Sequence, residues 1–356
     1  MRGQDNPMNL MSPRTQGPKD PTSLRLCTRC ILPETFPNIK FDTEGICNHC
    51  RQEESALARA PARKADYRRK LDDLIASIKG KAPSYDAIMA YSGGKDSSYT
   101  LKLLRERYDL RVLALTFDNH FVSPAALDNT RAVTDALGAD HINFKPPWPL
   151  MKSLFRITAR DDIFSAATLL RASSICTACI AFVKSLTVKT AIEMSIPLSA
   201  FGWSPGQAPI QSAIMKTNAS LIRQSQKALI GSLPDTVQVQ AKSYFIPDSY
   251  YDSYRERFPT NVHPLAFFNY DEKKIKIELE GIGWKTPTNT DTNSTNCLLN
   301  AFANQVHLER LKFHPYVWEI ANMVRQGVIP RAEGIEKIYS PQSFEQVEYA
   351  RKKLKL

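Results

Sequence analysis

Apolar and polar residues alternate along the chain in blocks that predict strands and helices in turn. The apolar run Ala87–Ala90 is followed by two glycines and then by leucines at helical spacing, which predicts a strand, a loop and a helix. The order recurs, with predicted strands at 85–91, 111–117, 141–144, 196–203 and 263–270. Further helices are predicted at 125–137, 179–194 and 271–280. This alternation predicts an α/β fold with a Rossmann-like parallel sheet.

The segments around these elements divide the chain into five predicted regions. They are a flexible N-terminus at 1–22, a cysteine-rich module at 23–52, a linker helix at 53–82, an α/β domain at 83–285 and a helical C-terminal region at 286–356. Tyr67, Leu71 and Ile78 lie at helical spacing and support the linker helix. The pattern assigns no element to the segment 212–252.

Composition narrows the class of protein without naming its function. Hydrophobic residues make up 43% of the 356 and charged residues 23%, which is typical of a globular protein and excludes a disordered or fibrous chain. The formal net charge of +11 favours polyanionic partners such as RNA, nucleotides or nucleotide sugars. The polar start of the chain and the lack of an apolar run of about 18 residues predict a cytoplasmic protein without a membrane segment.

The glycine pair directly after the first strand predicts a phosphate-binding loop. The segment reads Ser92-Gly93-Gly94-Lys95-Asp96-Ser97-Ser98. Backbone N–H groups at a helix N-terminus bind anions, the lysine adds a positive charge, the serines donate hydrogen bonds, and Asp96 is placed to cap the helix or hold Mg2+. An ordinary glycine turn is the alternative. Asp118 and Asn119 end the second strand, where a parallel sheet presents its ligand crevice, so Asp118 either contacts the nucleotide or caps the next helix.

This loop resembles that of the PP-loop ATP pyrophosphatase superfamily, the adenine nucleotide alpha hydrolases. The resemblance implies that ATP binds at Ser92–Ser98 with Mg2+, that a substrate oxygen attacks the α-phosphate, and that pyrophosphate leaves into the loop. Lys95 and Asp96 are then catalytic residues. The segment lacks the longer Gly-x-x-x-x-Gly-Lys spacing of phosphoryl-transfer loops.

Six of the seven cysteines form Cys-x-x-Cys pairs, and two of these pairs predict a structural zinc site. Cys27, Cys30, Cys47 and Cys50 supply four thiolates in two knuckles, the usual arrangement for tetrahedral zinc. The segment has few apolar residues to hold it together, which favours zinc over free surface thiols. His49 lies between two of the cysteines and is an alternative ligand.

The third pair, Cys176 and Cys179, begins a predicted helix, whose dipole stabilises thiolates. Together with Cys297 it resembles the three-cysteine set of PP-loop tRNA sulfur-transfer enzymes, which carry an iron–sulfur cluster with an open iron site. The resemblance implies a [4Fe-4S] cluster at these three residues, which would make them catalytic. The alternative is two buried helix cysteines and an unrelated third.

Residues 26–51 resemble the opening of the N-acetyl sugar amidotransferase family. The resemblance extends through the phosphate loop to 283–287 and 293–300 and covers most of 25–335. It implies an enzyme of bacterial surface-polysaccharide biosynthesis that adenylates a carbonyl oxygen of an N-acetyl sugar or nucleotide sugar and replaces AMP with ammonia to form an amidine. No glutaminase segment is evident, so it also implies a partner glutaminase with an ammonia channel.

The same adenylated intermediate leaves a second function open. Sulfide or persulfide at the activated carbon gives a thioamide or thiocarbonyl, so the alternative is an iron–sulfur-dependent sulfurtransferase for tRNA or a small carbonyl metabolite, with a sulfur-donor protein as partner. A third interpretation is a zinc-bearing RNA-binding protein without catalysis, favoured slightly by basic residues such as Arg68 and Lys70.

Substrate contacts are predicted in two loops, Trp203–Gly206 and Asn293–Asn296. Their amides and hydroxyls suit recognition of a sugar or base, although capping turns are the alternative. Four histidines are assigned no role: His120, His263, His307 and His314.

Overall fold

A six-stranded sheet with helices on both faces forms the centre of the structure, a computed structural model. The structure describes residues 24–161, 163–288, 290–291, 293–294 and 296–356. The predicted segment 1–22 lies outside these residues. The mostly parallel sheet, the helical C-terminal region and a four-cysteine cluster near the N-terminus confirm the predicted fold class.

The strands run in the order β3-β2-β1-β4-β6-β5 across the sheet. Their bounds are β1 Ala87–Ala90, β2 Val112–Phe117, β3 Asp140–Phe144, β4 Leu198–Phe201, β5 Ile214–Lys216 and β6 Thr260–Val262. All neighbouring pairs are parallel except β5 and β6, which are antiparallel. The order reverses beside β1, so the carboxyl ends of β1 and β4 border a crevice of the kind that binds ligands in open α/β sheets.

Helices connect and cover these strands. In chain order they are α1 Asn48–Ala58, α2 Ala60–Ile78, α3 Lys95–Lys102, α4 Pro124–Leu137, α5 Trp148–Arg160, α6 Ala166–Leu169, α7 Ser174–Glu193, α8 Ala219–Gly231, α9 Asp235–Lys242, α10 Asp248–Ser253, α11 Glu272–Glu280, α12 Asn300–Leu311, α13 Val317–Arg325, α14 Arg331–Tyr339 and α15 Phe344–Leu354. A π-helical turn at Leu103–Arg107 continues α3.

Side chains of the central strands alternate between two apolar layers. Ile88 and Leu113 point to the layer that holds residues of α5, α7, α12 and α15, whereas Met89 and Ala114 point to the layer that holds residues of α2, α3, α4 and α11. A parallel sheet covered on both faces reads as nearly continuous apolar runs, which is why β1 and β2 stand out in the sequence.

Two sequence expectations differ from the structure. The segment 263–270 is not a strand: the neighbouring strand β6 ends at Val262, and Pro264–Ala266 forms a turn of 3-10 helix. Phe267 and Phe268 are buried in a loop, so their apolar character reflects packing rather than a strand. The unassigned segment 212–252 contains β5 and the helices α8, α9 and α10.

The N-terminal cysteine segment packs on the C-terminal helices. Ile31 and Leu32 share an apolar cluster with Val317 and Ile320 of α13 and with Ile338 of α14. Backbone carbonyls of the cysteine segment accept hydrogen bonds from C-terminal side chains at 2.7 to 3.0 Å. The cysteine segment and the helices α13 and α14 therefore form one packed unit.

One helix of the described residues, α7, is long and apolar enough by length and composition to cross a membrane. Half of its most apolar window is buried inside the protein, and α7 contacts β1, β4, α5 and α12. This composition is therefore that of a core helix.

Candidate functional site

The phosphate loop joins β1 to the N-terminus of α3 through a glycine that no other residue can replace without strain. Gly93 has φ +71°, and a Cβ atom there would lie 2.2 Å from the carbonyl oxygen of Ala126. The indole Nε1 of Trp284 donates a hydrogen bond of 2.9 Å to the Gly93 carbonyl. This contact holds the carbonyl away from the open side of the loop, which leaves the N-terminus of α3 available to an anion.

Asn129 on α4 fixes the loop from behind. Its Nδ2 donates to the carbonyls of Gly93 at 3.4 Å and Lys285 at 2.8 Å, and its Oδ1 accepts from the Lys285 N–H at 2.8 Å. The segment 283–287, one of those that resemble the amidotransferase family, therefore supports the phosphate loop. Ser92 and Ser97 hydroxyls lie 3.0 Å apart inside the loop.

Lys95 belongs to a buried charged network that the sequence analysis missed. Its Nζ lies 3.0 Å from Asp96 Oδ1 and 3.4 Å from Glu272 Oε2, and it also contacts the Tyr270 hydroxyl. Burial lowers the lysine pKa, but the carboxylates of Asp96 and Glu272 outweigh it, so the pKa of Lys95 is raised. Burial opposes ionisation of Glu272, yet Lys95 lowers the pKa of that carboxyl to about 2. Both groups are therefore charged at neutral pH.

A cavity of about 290 Å³ opens in front of the phosphate loop. Its walls come from the loop, the carboxyl ends of β1, β2 and β4, the first half of α7, the segment 293–300, and α13. All three cysteines of the second predicted set, Cys176, Cys179 and Cys297, line it, together with Lys95 and Asp96. The fold thus brings the two predicted chemical groups to one place from distant parts of the chain.

The three cysteines are half-buried and held by amide side chains. Nδ2 of Asn119 lies 3.4 Å from Cys179 Sγ and 3.7 Å from Cys297 Sγ, and Cys176 Sγ lies 3.8 Å from Asn300 Oδ1. Burial raises the pKa of Cys176 to about 12 and also raises that of Cys297. Burial therefore outweighs the helix dipole that was expected to stabilise thiolates, and the thiols keep their protons unless a metal displaces them.

Asp118 and Asn119 have different surroundings at the end of β2. Asp118 pairs with Lys145 at 2.8 Å and accepts the His120 N–H at 2.8 Å, and it is not among the residues that line the cavity. Ser123, not Asp118, caps α4. Asn119 lines the cavity and contacts Cys179 and Cys297, so Asn119 is the residue of this pair that faces the cavity.

The turn after β4 approaches the phosphate loop closely. A Cβ atom on Gly202 would lie 2.4 Å from Ser97 Cα, so only glycine permits this contact. Trp203 lines the cavity, and the Ser204 hydroxyl donates to Glu319 on α13. Trp203 is therefore the residue of the predicted contact loop Trp203–Gly206 that lines the cavity, and the described residues Asn293, Ser294 and Asn296 of the other predicted loop line it too.

Two ionisable residues of the cavity escaped the sequence analysis. Burial raises the pKa of Glu319 to about 7 and lowers the pKa of Lys184 to about 8. Glu319 is 115 positions from its partner Ser204, so no local pattern reveals it. Lys184 follows Cys176 by eight residues on α7, and the helical spacing 176-180-184 is a signal that could have found it.

The histidines lie in packed surroundings. Burial lowers the pKa of His263 and His314 to about 3 and that of His307 to about 4. His120 lies at φ +71° with its ring 5.3 Å from that of Trp148. None of the four lines the cavity.

The four cysteines of the N-terminal pairs meet in one buried cluster. Their sulfur atoms lie within 4.8 Å of one another, and the pairs Cys27–Cys50 and Cys30–Cys47 are 3.8 Å apart. Four sulfurs at about 2.3 Å from a tetrahedral ion are separated by about 3.8 Å. Hydrogen bonds from Cys30 and Cys47 hold the pKa of the Cys27 thiol well below its usual range. This is the geometry of a four-cysteine metal site, and His49 is not needed as a ligand.

A chain of hydrogen bonds runs from this metal site to the cavity. Nη1 of Arg325 lies 3.6 Å from Cys30 Sγ, and Nη2 of the same guanidinium donates to Asn322 Oδ1. Asn322 Nδ2 donates to the Gly206 carbonyl at 2.9 Å. Because α13 carries both side chains, it links the metal site to the turn that holds Trp203.

The known proteins that are similar to this chain include one curated relative and one solved structure. An uncharacterized protein of Methanocaldococcus jannaschii, MJ1599, is 22% identical over 320 residues, which cover 88% of this chain and 93% of that protein. The structure of the U34-tRNA thiolase NcsA from Methanococcus maripaludis with its [4Fe-4S] cluster aligns with 93% of this chain and 88% of its own, at 14% identity and a TM-score of 0.35. No family model matches the chain.

Proposed function

We propose that this chain is an ATP-dependent enzyme that adenylates a carbonyl oxygen of its substrate and then transfers sulfur to the activated carbon. One observation carries the proposal: Cys176, Cys179 and Cys297 line the same cavity as the phosphate loop. Activation of a carbon and delivery of sulfur to it require both groups within reach of one bound substrate.

In the first step the phosphate loop receives the leaving group. The carbonyl oxygen of an amide-type substrate forms a bond to the α-phosphorus, the bond from that phosphorus to the bridging oxygen breaks, and the amide proton is lost to solvent. Pyrophosphate departs into the loop, where N–H groups at the start of α3 and the hydroxyls of Ser92 and Ser97 stabilise its charge. Asp96, held by Lys95 and Tyr270, is placed to bind the accompanying Mg2+.

In the second step hydrosulfide replaces AMP. A carbon–sulfur bond forms, the carbon–oxygen bond to AMP breaks, and the proton of hydrosulfide remains on the product, which is a thioamide. Oxygen is exchanged for sulfur without net oxidation or reduction. Asn119 and Asn300 orient the cysteines on the wall where the incoming sulfur must lie.

The three cysteines fit a [4Fe-4S] cluster better than a single ion. Among the described residues, the cysteines close enough together to hold one ion are the N-terminal four, and Cys176, Cys179 and Cys297 do not form such a group. Half-buried thiols that face a cavity of about 290 Å³ leave space for a larger group. A cluster with three cysteine ligands supplies one iron open to an external sulfur. The closed, buried N-terminal set fits structural Zn2+.

Amidation is the second candidate function. It is favoured by the position of the segments that resemble the N-acetyl sugar amidotransferases: 283–287 supports the phosphate loop and 293–300 lines the cavity. The first step would be the same, on an N-acetyl sugar or nucleotide sugar in the cytoplasm. Ammonia from a partner glutaminase would then replace AMP and give an amidine.

Metal analysis of anaerobically purified protein is the first test. We expect about four irons and about one zinc per chain, with the iron lost in Cys176→Ala and the zinc retained. The protein is then incubated with ATP, sulfide or ammonium, and either unfractionated tRNA or a UDP-linked N-acetyl sugar, and products are identified by mass spectrometry. Zinc without iron, together with an amidine product, would favour the second candidate.

The adenylation step is tested separately by pyrophosphate release. Lys95→Ala should abolish substrate-dependent release because the loop loses its cation. Lys102→Ala is the matched control, since this lysine lies on the same helix and pairs with Glu106. Normal turnover in Lys95→Ala would overturn both candidate functions.

A further inference from the structure

Lys184 on α7 is a cation in the cavity wall that has no acidic partner in the part of the chain that the structure describes. Among the described residues, no ion pair or hydrogen bond involves its ammonium group, which lies 4.4 Å from the ring centroid of Trp203. The pKa of Lys184 is lowered to about 8 by burial, and no neighbouring carboxylate offsets this. A buried charge without a counter-ion is costly, so the site favours an anionic ligand.

The neighbouring residues keep the ammonium in place without neutralising it. The ring of Trp203 is stacked on His263 at 4.2 Å with an interplanar angle of 5°, so one face is covered by the imidazole and the ammonium lies over the ring. Burial lowers the pKa of His263 to about 3, so the imidazole is neutral. A cation on a rigid aromatic face gains part of its missing solvation there.

The position of Lys184 relative to the phosphate loop identifies the anion. Gly202 touches Ser97 of the loop, Trp203 is the next residue, and Lys184, Trp203 and the loop all line one cavity. Lys95, the other lysine of the cavity wall, is already paired with Asp96 and Glu272. The anion that spans from the loop to Lys184 is therefore the phosphate chain of the nucleotide.

We propose that Lys184, supported by Trp203, binds the α-phosphate of the nucleotide, while the loop binds the β- and γ-phosphates. This inference rests on the proposed use of ATP and adds the residue that faces the reacting phosphorus. An ammonium at this point stabilises the charge that builds on the α-phosphoryl oxygens during adenylation.

The test compares binding of AMP, of α,β-methylene-ATP and of pyrophosphate by isothermal titration calorimetry. Lys184→Gln should weaken AMP and the ATP analogue about ten- to hundredfold, and leave pyrophosphate within about twofold. Lys184→Arg should restore most of the affinity because it keeps the charge. Lys189→Gln is the control, since this lysine lies on the same helix and donates to the Ser243 carbonyl.

The possible failures are distinguishable. If the unmodified protein binds none of the three probes, the proposed use of ATP is wrong and this inference fails with it. If the unmodified protein binds them and Lys184→Gln binds AMP equally well, or loses pyrophosphate to the same extent as AMP, the α-phosphate assignment is wrong while the proposed function stands. Thermal denaturation confirms that each variant is folded.

Discussion

The two cysteine sets of this protein differ in burial and in what surrounds them. The four N-terminal cysteines are 0 to 1% exposed, and their sulfurs nearly touch. The other three are half-buried and share a cavity with the phosphate loop. A metal site with four protein ligands has no free coordination position and stabilises the fold, whereas a catalytic metal site keeps one coordination position free for a substrate. Spacing and exposure, rather than the number of cysteines, separate the two roles.

The largest expected effect is on stability, from the closed set. Cys30→Ser removes one of four ligands, so we expect loss of the zinc and of more than about 5 kcal/mol of the free energy of unfolding. Zinc content and urea denaturation measure this. Cys297→Ser serves as the control and should retain the zinc. If Cys30→Ser leaves the free energy of unfolding unchanged, the structural role predicted for the four N-terminal cysteines is wrong.

The open set should show the reverse result. We expect Cys176→Ala to lower sulfur transfer at least about a hundredfold, because a ligand of the proposed cluster is lost. The free energy of unfolding should change by only about 1 kcal/mol, since the side chain is small and half-buried. Product formation and urea denaturation are measured on one preparation. If Cys176→Ala loses much of its stability and keeps normal activity, the catalytic role proposed for the three cysteines is wrong.

The third prediction concerns the pH dependence of stability that Glu319 gives to α13, the helix between the two cysteine sets. Its carboxyl has a pKa raised by burial to about 7, so the folded state holds a proton that the unfolded state releases near pH 4.5. The contribution of this carboxyl to the free energy of unfolding is fully present below pH 4.5. It is lost as the pH rises to about 7, and the total loss is about 3 kcal/mol. Glu319→Gln should remove this fall, so its advantage over the unmodified protein in urea denaturation should be larger at pH 8 than at pH 5. Equal differences at both pH values would contradict the assignment.

The smallest effect is expected from the hydrogen-bond chain between the sets. Asn322→Ala removes the contacts with Arg325 and the Gly206 carbonyl, so we expect a loss of about 1 kcal/mol in stability and a several-fold fall in turnover with zinc retained. Gln326→Ala, an exposed position just after the same helix, is the control. Turnover equal in both variants would show that the two sets act independently.

Local patterns predicted the parts of the site that depend on adjacent residues. The strand at 87–90, the glycine pair and the Cys-x-x-Cys knuckles each lie within a few positions, and in the structure they form a strand, a loop and a cluster of four cysteines. The strand expected at 263–270 was wrong because β6 is only three residues long and has one buried residue, Val262, while the apolar run after it packs as a turn and loop.

Contacts between distant parts of the chain could not be read from the sequence. Tyr270 reaches Lys95 across 175 positions and Glu319 reaches Ser204 across 115. Such contacts depend on how the helices pack on the sheet, and the pattern of apolar and polar residues does not predict that packing. The same holds for the thiol pKa values, which burial raises against the expected effect of the helix dipole.

The contact between Arg325 and Cys30 spans 295 positions, and this separation has a consequence for biosynthesis. A ribosome makes the cysteine knuckles long before the helix α13, which carries Arg325. The knuckles are therefore complete while the turn that holds Trp203 still lacks its hydrogen bond from Asn322. Pairs of such high contact order form late in folding. Under the proposed function, the four-cysteine site is complete in sequence before the helices that finish the cavity are made, so a partial chain would lack the cavity that ATP use requires.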